Sequence, residues 1–144
     1  MKALPFILCL TSLFLLSACE KELFKTPEEL IVGQWQITTY ESEPGKNLVL
    51  DNSDIRWEME FHLDSDKNAI WYVALTDKKT GGQQSAAHYG TYTLTNGYMA
   101  ITFPQKNATI RGNLDVSDAE MSIKGQIVDK NGGFLPLTMK AIRK

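Results

Sequence analysis

The sequence predicts an all-β domain: an eight-stranded antiparallel up-and-down barrel with a short N-terminal helix. Three observations carry this reading. "IRWEMEFHL", residues 55–63, alternates apolar and polar residues without exception, as a strand with one dry and one wet face requires. The linkers between such runs are mostly short and rich in turn formers, and Asn96-Gly97 between "YTLT" and "YMAITF" is the strongest hairpin signal among them. No second helical pattern follows residue 31, so the crossovers that parallel strands need are not available.

In chain order, the first element is a helix over 27–31. Thr26 suits its N-cap, Pro27 its first position, and Glu29 completes a capping-box spacing with Thr26. Strands are then expected at 33–41, 55–63, 69–76, 87–95, 98–103, 108–115, 119–128 and 134–143. "DSDKN" at 64–68, "VSDAE" at 116–120 and "DKNGG" at 129–133 are tight connections, while 42–54 and 77–86 are long. A meander with one apolar face removes its edges by closing into a barrel. A seven-stranded sandwich competes, but it needs long Greek-key crossings and only two long connections are present.

The chain begins with Lys2 and an apolar run, Ala3 to Leu16, that ends in small residues. The run is short of the ~20 residues a membrane span needs, and residues 1–18 read as a secretory signal. Leu16-Ser17-Ala18-Cys19 resembles the bacterial lipobox. That resemblance implies cleavage before Cys19, diacylglycerol on its sulfur and a further acyl chain, such as palmitate, on the new amino group. Several chains together anchor stably where one is marginal. Residues 19–25 then form a lipidated tether, and the membrane is the first partner. Glu20 stands where an aspartate would favour inner-membrane retention, which points to the outer membrane, on either its periplasmic or its surface side.

Cys9 leaves with the signal and Cys19 carries lipid, so the remaining domain, 26–144, has neither disulfide nor thiol nucleophile. About 120 residues supply a core without one. Loss of Lys2 leaves 14 basic against 17 acidic residues, a net charge of −3 with both signs interspersed. No basic patch points to nucleic acid, and the chain reads as a monomer without a cofactor.

No arrangement reads as an active site, so an enzyme is not expected. His62, between Glu60 and Asp64, and His88, after a polar loop, lack any surrounding triad motif and read as solvated or rim histidines. Asp64-x-Asp66-x-Asn68 begins like a calcium loop, but Ala69 and Leu75 replace the required glycine and glutamate, so a turn is the better reading and no metal is expected. "DKKTGGQQ" lacks the helix that a phosphate-binding glycine loop requires. Asn107-Ala108-Thr109 is a formal glycosylation sequon.

The short helix followed by Gly33-x-Trp35 at the opening of strand one resembles the lipocalins and the wider calycin group. "GQWQITTYE", "YGTYTLTNGYMAITF" and "LTMKAIRK" are similar to small lipocalin-like lipoproteins of Bacteroidetes, over most of residues 26–144. The resemblance implies that Trp35 packs across the closed floor beneath an arginine, for which Arg143 is the match, with Gly33 at the entry. The long C-terminal helix of full-length lipocalins is not present in "LTMKAIRK", the last segment.

Such a fold implies binding of a small apolar or amphipathic ligand at the open end. The inward candidates are Trp57, Met59 and Phe61, then Trp71, Val73 and Tyr92, then Met99, Ile101 and Phe103. Leu48, Val49 and Leu50 form an apolar tip in the 42–54 loop that either caps the mouth or docks elsewhere. An eight-stranded barrel is just wide enough to be filled by side chains or to hold one small ligand. The alternative is therefore a filled barrel acting as a protein-interaction module, an enzyme inhibitor or an accessory subunit of an envelope complex.

Overall fold

The computed structural model describes residues 24–49 and 54–144. The proposed signal peptide 1–18, Cys19 and Leu50 lie outside the described residues. Helix α1 is Pro27–Ile31, and eight strands follow: β1 Gly33–Glu41, β2 Ile55–Leu63, β3 Asn68–Asp77, β4 Gln83–Thr95, β5 Tyr98–Phe103, β6 Ala108–Val116, β7 Glu120–Asp129 and β8 Phe134–Arg143. Every strand pairs antiparallel with its sequence neighbour, and β1 pairs with β8 to close the barrel. A 3₁₀ turn, Pro104–Lys106, joins β5 to β6.

The expected helix and strand count hold, and the strand ends fall within one residue of expectation except at the start of β4. The long loop read at 77–86 is only 78–82, because β4 starts at Gln83. "QQSA" has no apolar alternation and gives no strand signal. It is extended because β3 supplies a ladder partner for each residue, from Thr76↔Gln83 to Val73↔Ala86. Tertiary pairing overrides weak local preference here.

At one end the barrel is sealed. The capping box at α1 is present: Glu29 N donates to Thr26 Oγ1 and Thr26 N donates to a Glu29 carboxylate oxygen. A helix this short leaves its final carbonyls without partners of its own. Two side chains supply them. Trp35 Nε1 donates to Ile31 O at 2.8 Å, and Arg143 Nη1 donates to Val32 O at 2.9 Å while Nη2 donates to Leu30 O. Arg143 Nε also donates to Asp118 O in the β6–β7 turn. The guanidinium lies 4.3 Å from the centre of the Trp35 ring, within cation–π range, and the indole is fully buried.

Gly33 is fixed by this arrangement twice over. Its φ of +143° is unfavourable for a side chain, and a Cβ there would sit 2.5 Å from Arg143 Nη1. Beyond this floor the core continues through Ile37, Phe61, Leu63, Tyr92, Met99, Ile101, Phe103, Ile110, Ile123 and Met139, all buried. Tyr92 belongs to the floor as well, since its hydroxyl donates to Asp64 O in the β2–β3 turn.

Replacing Trp35 with Ala should cost about 3–5 kcal/mol, the range for deleting a buried aromatic. Urea unfolding followed by tryptophan fluorescence, using Trp57 and Trp71 as reporters, measures it; an unchanged midpoint refutes the floor role. Gly33→Ala should also destabilise, because the new methyl group displaces the guanidinium.

Candidate ligand-binding site

The end opposite the floor carries the β1–β2, β3–β4, β5–β6 and β7–β8 connections. A cavity of about 430 Å³ opens there, lined by Tyr40 of β1, Leu48 of the β1–β2 loop, Trp57 and Met59 of β2, Trp71, Val73 and Leu75 of β3, Gln84, Ser85, Ala86 and His88 of β4, and Lys106 of the 3₁₀ turn. The volume falls within the usual range for small-molecule sites. A groove of about 570 Å³ nearer the floor carries Asp115, Glu120, Lys124 and Lys140 and is far more polar, so it is the weaker candidate.

Two local features make the cavity. The first is in β4. Inward positions alternate back from buried Tyr92, so Gly90, His88, Ala86 and Gln84 share its face. Where other strands present Trp, Met or Ile, this strand presents small or polar groups. The second is an irregularity in β1: the register with β8 shifts between Ile37↔Ala141 and Thr39↔Lys140, leaving Thr38 as the extra residue. The bulge reverses the alternation, so that Trp35, Ile37 and then Tyr40 are the buried residues. Tyr40 thereby faces the cavity.

The walls are aromatic. Trp71 packs between Tyr40, at a ring-centre distance of 6.0 Å, and Phe103, at 5.5 Å, and His88 meets it edge-on at 5.8 Å. Both cavity tryptophans keep a buried indole N–H, and neither finds an acceptor among the described residues. A buried donor left without a partner costs about 1–3 kcal/mol. Burial pushes the Tyr40 phenol up to about 12, so it stays protonated across the physiological range. His88 is held below the usual imidazole value, first by partial loss of hydration and then by the positive charge of Lys106.

The β1–β2 loop reaches the cavity on an amide. Asn47 is buried, its Oδ1 accepts from Tyr40 N and Val49 N, and its Nδ2 donates to Thr38 O. The bulge residue thus supplies the acceptor that holds the loop. Leu48 N donates to Tyr40 O, Leu48 lines the cavity, and Val49 packs against the core.

Of the nine inward candidates, Trp57, Met59, Trp71 and Val73 line the cavity. Phe61, Tyr92, Met99, Ile101 and Phe103 do not: they are packed beneath it or at the floor, 2% exposed or less. The period-two pattern finds the inward face but cannot tell the filled half of the barrel from the open half. Tyr40, Gln84, Ala86, His88, Lys106 and Asn47 were not singled out as site residues by the pattern. The bulge hid the first, and the others are polar or, at Ala86, too small to carry an apolar signal. His62 is on the outer face, 3.3 Å from Glu60 and with its ring tilted against Tyr72, whereas His88 is inside the mouth. Asp64 accepts from Asn68 N and Nδ2 and closes a turn, and no cluster of metal-ligating side chains occurs among the described residues.

Asn47→Ala removes at least three hydrogen bonds at a buried position and should destabilise by about 1–3 kcal/mol. Limited proteolysis should then cut first within 42–54. A variant with wild-type stability and an uncut loop would show that the amide does not hold it.

No protein-family model matches the sequence, and no curated protein matches it either. Among solved structures the barrel is similar to that of bovine odorant binding protein, a lipocalin, determined in complex with its natural ligand. The two superpose with a TM-score of 0.51 at 18% identity, covering 84% of this chain and 75% of that one. At that identity the likeness concerns the fold, and the fold of this chain is lipocalin-like.

Proposed function

We propose that this chain is a lipid-anchored, lipocalin-like protein of the bacterial envelope that binds one small apolar or amphipathic molecule at the barrel mouth. The observation that carries the reading is the aromatic cavity, whose wall holds two buried indole N–H groups without acceptors among the described residues. A ligand with an apolar body and at least one acceptor matches both properties. The solved lipocalin with its bound natural ligand supports the same reading by likeness of fold. The filled-barrel alternative, a protein-interaction module, is less well supported because a cavity of about 430 Å³ is present.

The lipobox at 16–19 supports anchoring through Cys19, and Glu20 supports the outer membrane. Thr26 and α1 lie at the sealed end. A tether ending there attaches the membrane at the floor and turns the mouth away from the bilayer.

Two measurements test the two halves of this reading. Neutral phenylnaphthylamine should bind saturably and take up energy from Trp57 and Trp71, and the transfer should largely vanish in a Trp57→Phe/Trp71→Phe variant that retains Trp35. Absence of saturable binding overturns the ligand reading. In cells, labelled palmitate should enter the wild-type chain and not Cys19→Ser; equal labelling of both overturns the anchor.

A further inference from the structure

We propose that the ligand is an organic anion: its apolar body lies against Trp57, Met59 and Trp71, and its acidic head is met at the rim by Lys106 and His88. This rests on the ligand-binding reading above and goes one step beyond it, to the charge of the ligand.

The polar groups of the cavity have one sign of preference. Lys106 and His88 are its ionisable bases, and no carboxylate occurs among the described lining residues. The indole N–H groups of Trp57 and Trp71 are donors only, and neither has an acceptor among the described residues. Gln84 and Ser85 can also donate. An acceptor-rich, negatively charged head is the complement of that set, whereas a cationic head would meet like charge and no counter-ion among the described lining residues.

Placement agrees with the residue types. Lys106 ends the 3₁₀ turn, whose backbone is closed by Asn107 N donating to Pro104 O, with Asn107 left-handed at a φ of 50°. The stem of Lys106 therefore starts from a fixed point on the rim, while its head is exposed and has no ion pair or hydrogen bond among the described residues. Lys25, Lys46, Lys79 and Lys144 pair with carboxylates, whereas Lys106, like Lys67, Lys124, Lys130 and Lys140, has no ion pair among the described residues and is the lysine that lines the cavity. His88 is oriented by its edge-on contact with Trp71 and stands close enough to Lys106 to sense its charge. Lys106 brings a positive charge to the apolar wall and His88 offers a ring N–H beside it, so an anion between them pairs with the charge while its body covers the rings.

A matched pair of probes separates this inference from the one beneath it. Anilinonaphthalene sulfonate and phenylnaphthylamine share an aromatic skeleton and differ by the anionic group. Both are titrated into the purified wild-type protein, Lys106→Met and Lys106→Arg, with thermal unfolding as a check on folding. Lys106→Met should weaken the sulfonate about fivefold, the upper end for an exposed ion pair, and leave the neutral probe unchanged. Lys106→Arg should restore sulfonate binding, and added salt should shrink the wild-type advantage. Equal sulfonate affinity in wild type and Lys106→Met, or equal loss of both probes, overturns the anion assignment and leaves ligand binding standing. Failure of both probes to bind the wild type overturns both readings together.

Discussion

An eight-stranded barrel encloses a volume that ordinary core side chains can fill, so space for a ligand exists only where side chains are left out. This chain fills the floor half with Trp35, Phe61, Tyr92, Phe103 and their aliphatic neighbours, and leaves the mouth half open on the side of β1 to β4. The vacated positions are on β4, where Ala86, His88 and Gln84 replace the large apolar residues of the adjoining strands. The cavity is thus a consequence of one strand's composition set inside an otherwise ordinary core.

Leaving the mouth open transfers the burden of stability to the floor. Arg143 alone ties β8, the end of α1 and the β6–β7 turn together, and it does so above an indole whose own N–H goes to the same helix end. The carbonyls that a five-residue helix cannot satisfy become the anchoring points for the two ends of the barrel sheet. The mouth is held in a different way, by the amide of Asn47 bound to the backbone of the β1 bulge. One irregularity therefore turns Tyr40 inward and supplies the acceptor that keeps Leu48 over the cavity.

The separation of the two ends orders the functional proposal. The sealed end carries α1 and the residues just before it, and the open end carries the aromatic wall, the donors and the two bases. In the proposal, anchoring through Cys19 and recognition at the mouth fall at opposite ends of the barrel, so neither constrains the chemistry of the other.

The sequence by itself determined the architecture. Period-two alternation, the Asn-Gly turn and a single capped helix specify a closed meander, because each is a local signal with a local physical cause. Gly33 and Trp35 were conspicuous for the same reason. Only the tertiary structure decided where the interior is empty. Phe61 and Trp71 look alike in the alternating pattern, yet one is packed in the filled half and the other borders the cavity, since that depends on what the opposite strands contribute. Tyr40 entered the site through a register shift created by β8, and "QQSA" became a strand through pairing with β3. His88 and Lys106, far along the chain from the motif that marks the fold, meet at the rim because the register of the β4–β5 hairpin brings β4 beside the β5–β6 turn. Contacts between strands carry no signature in either strand alone, and that is why the site was less legible than the fold.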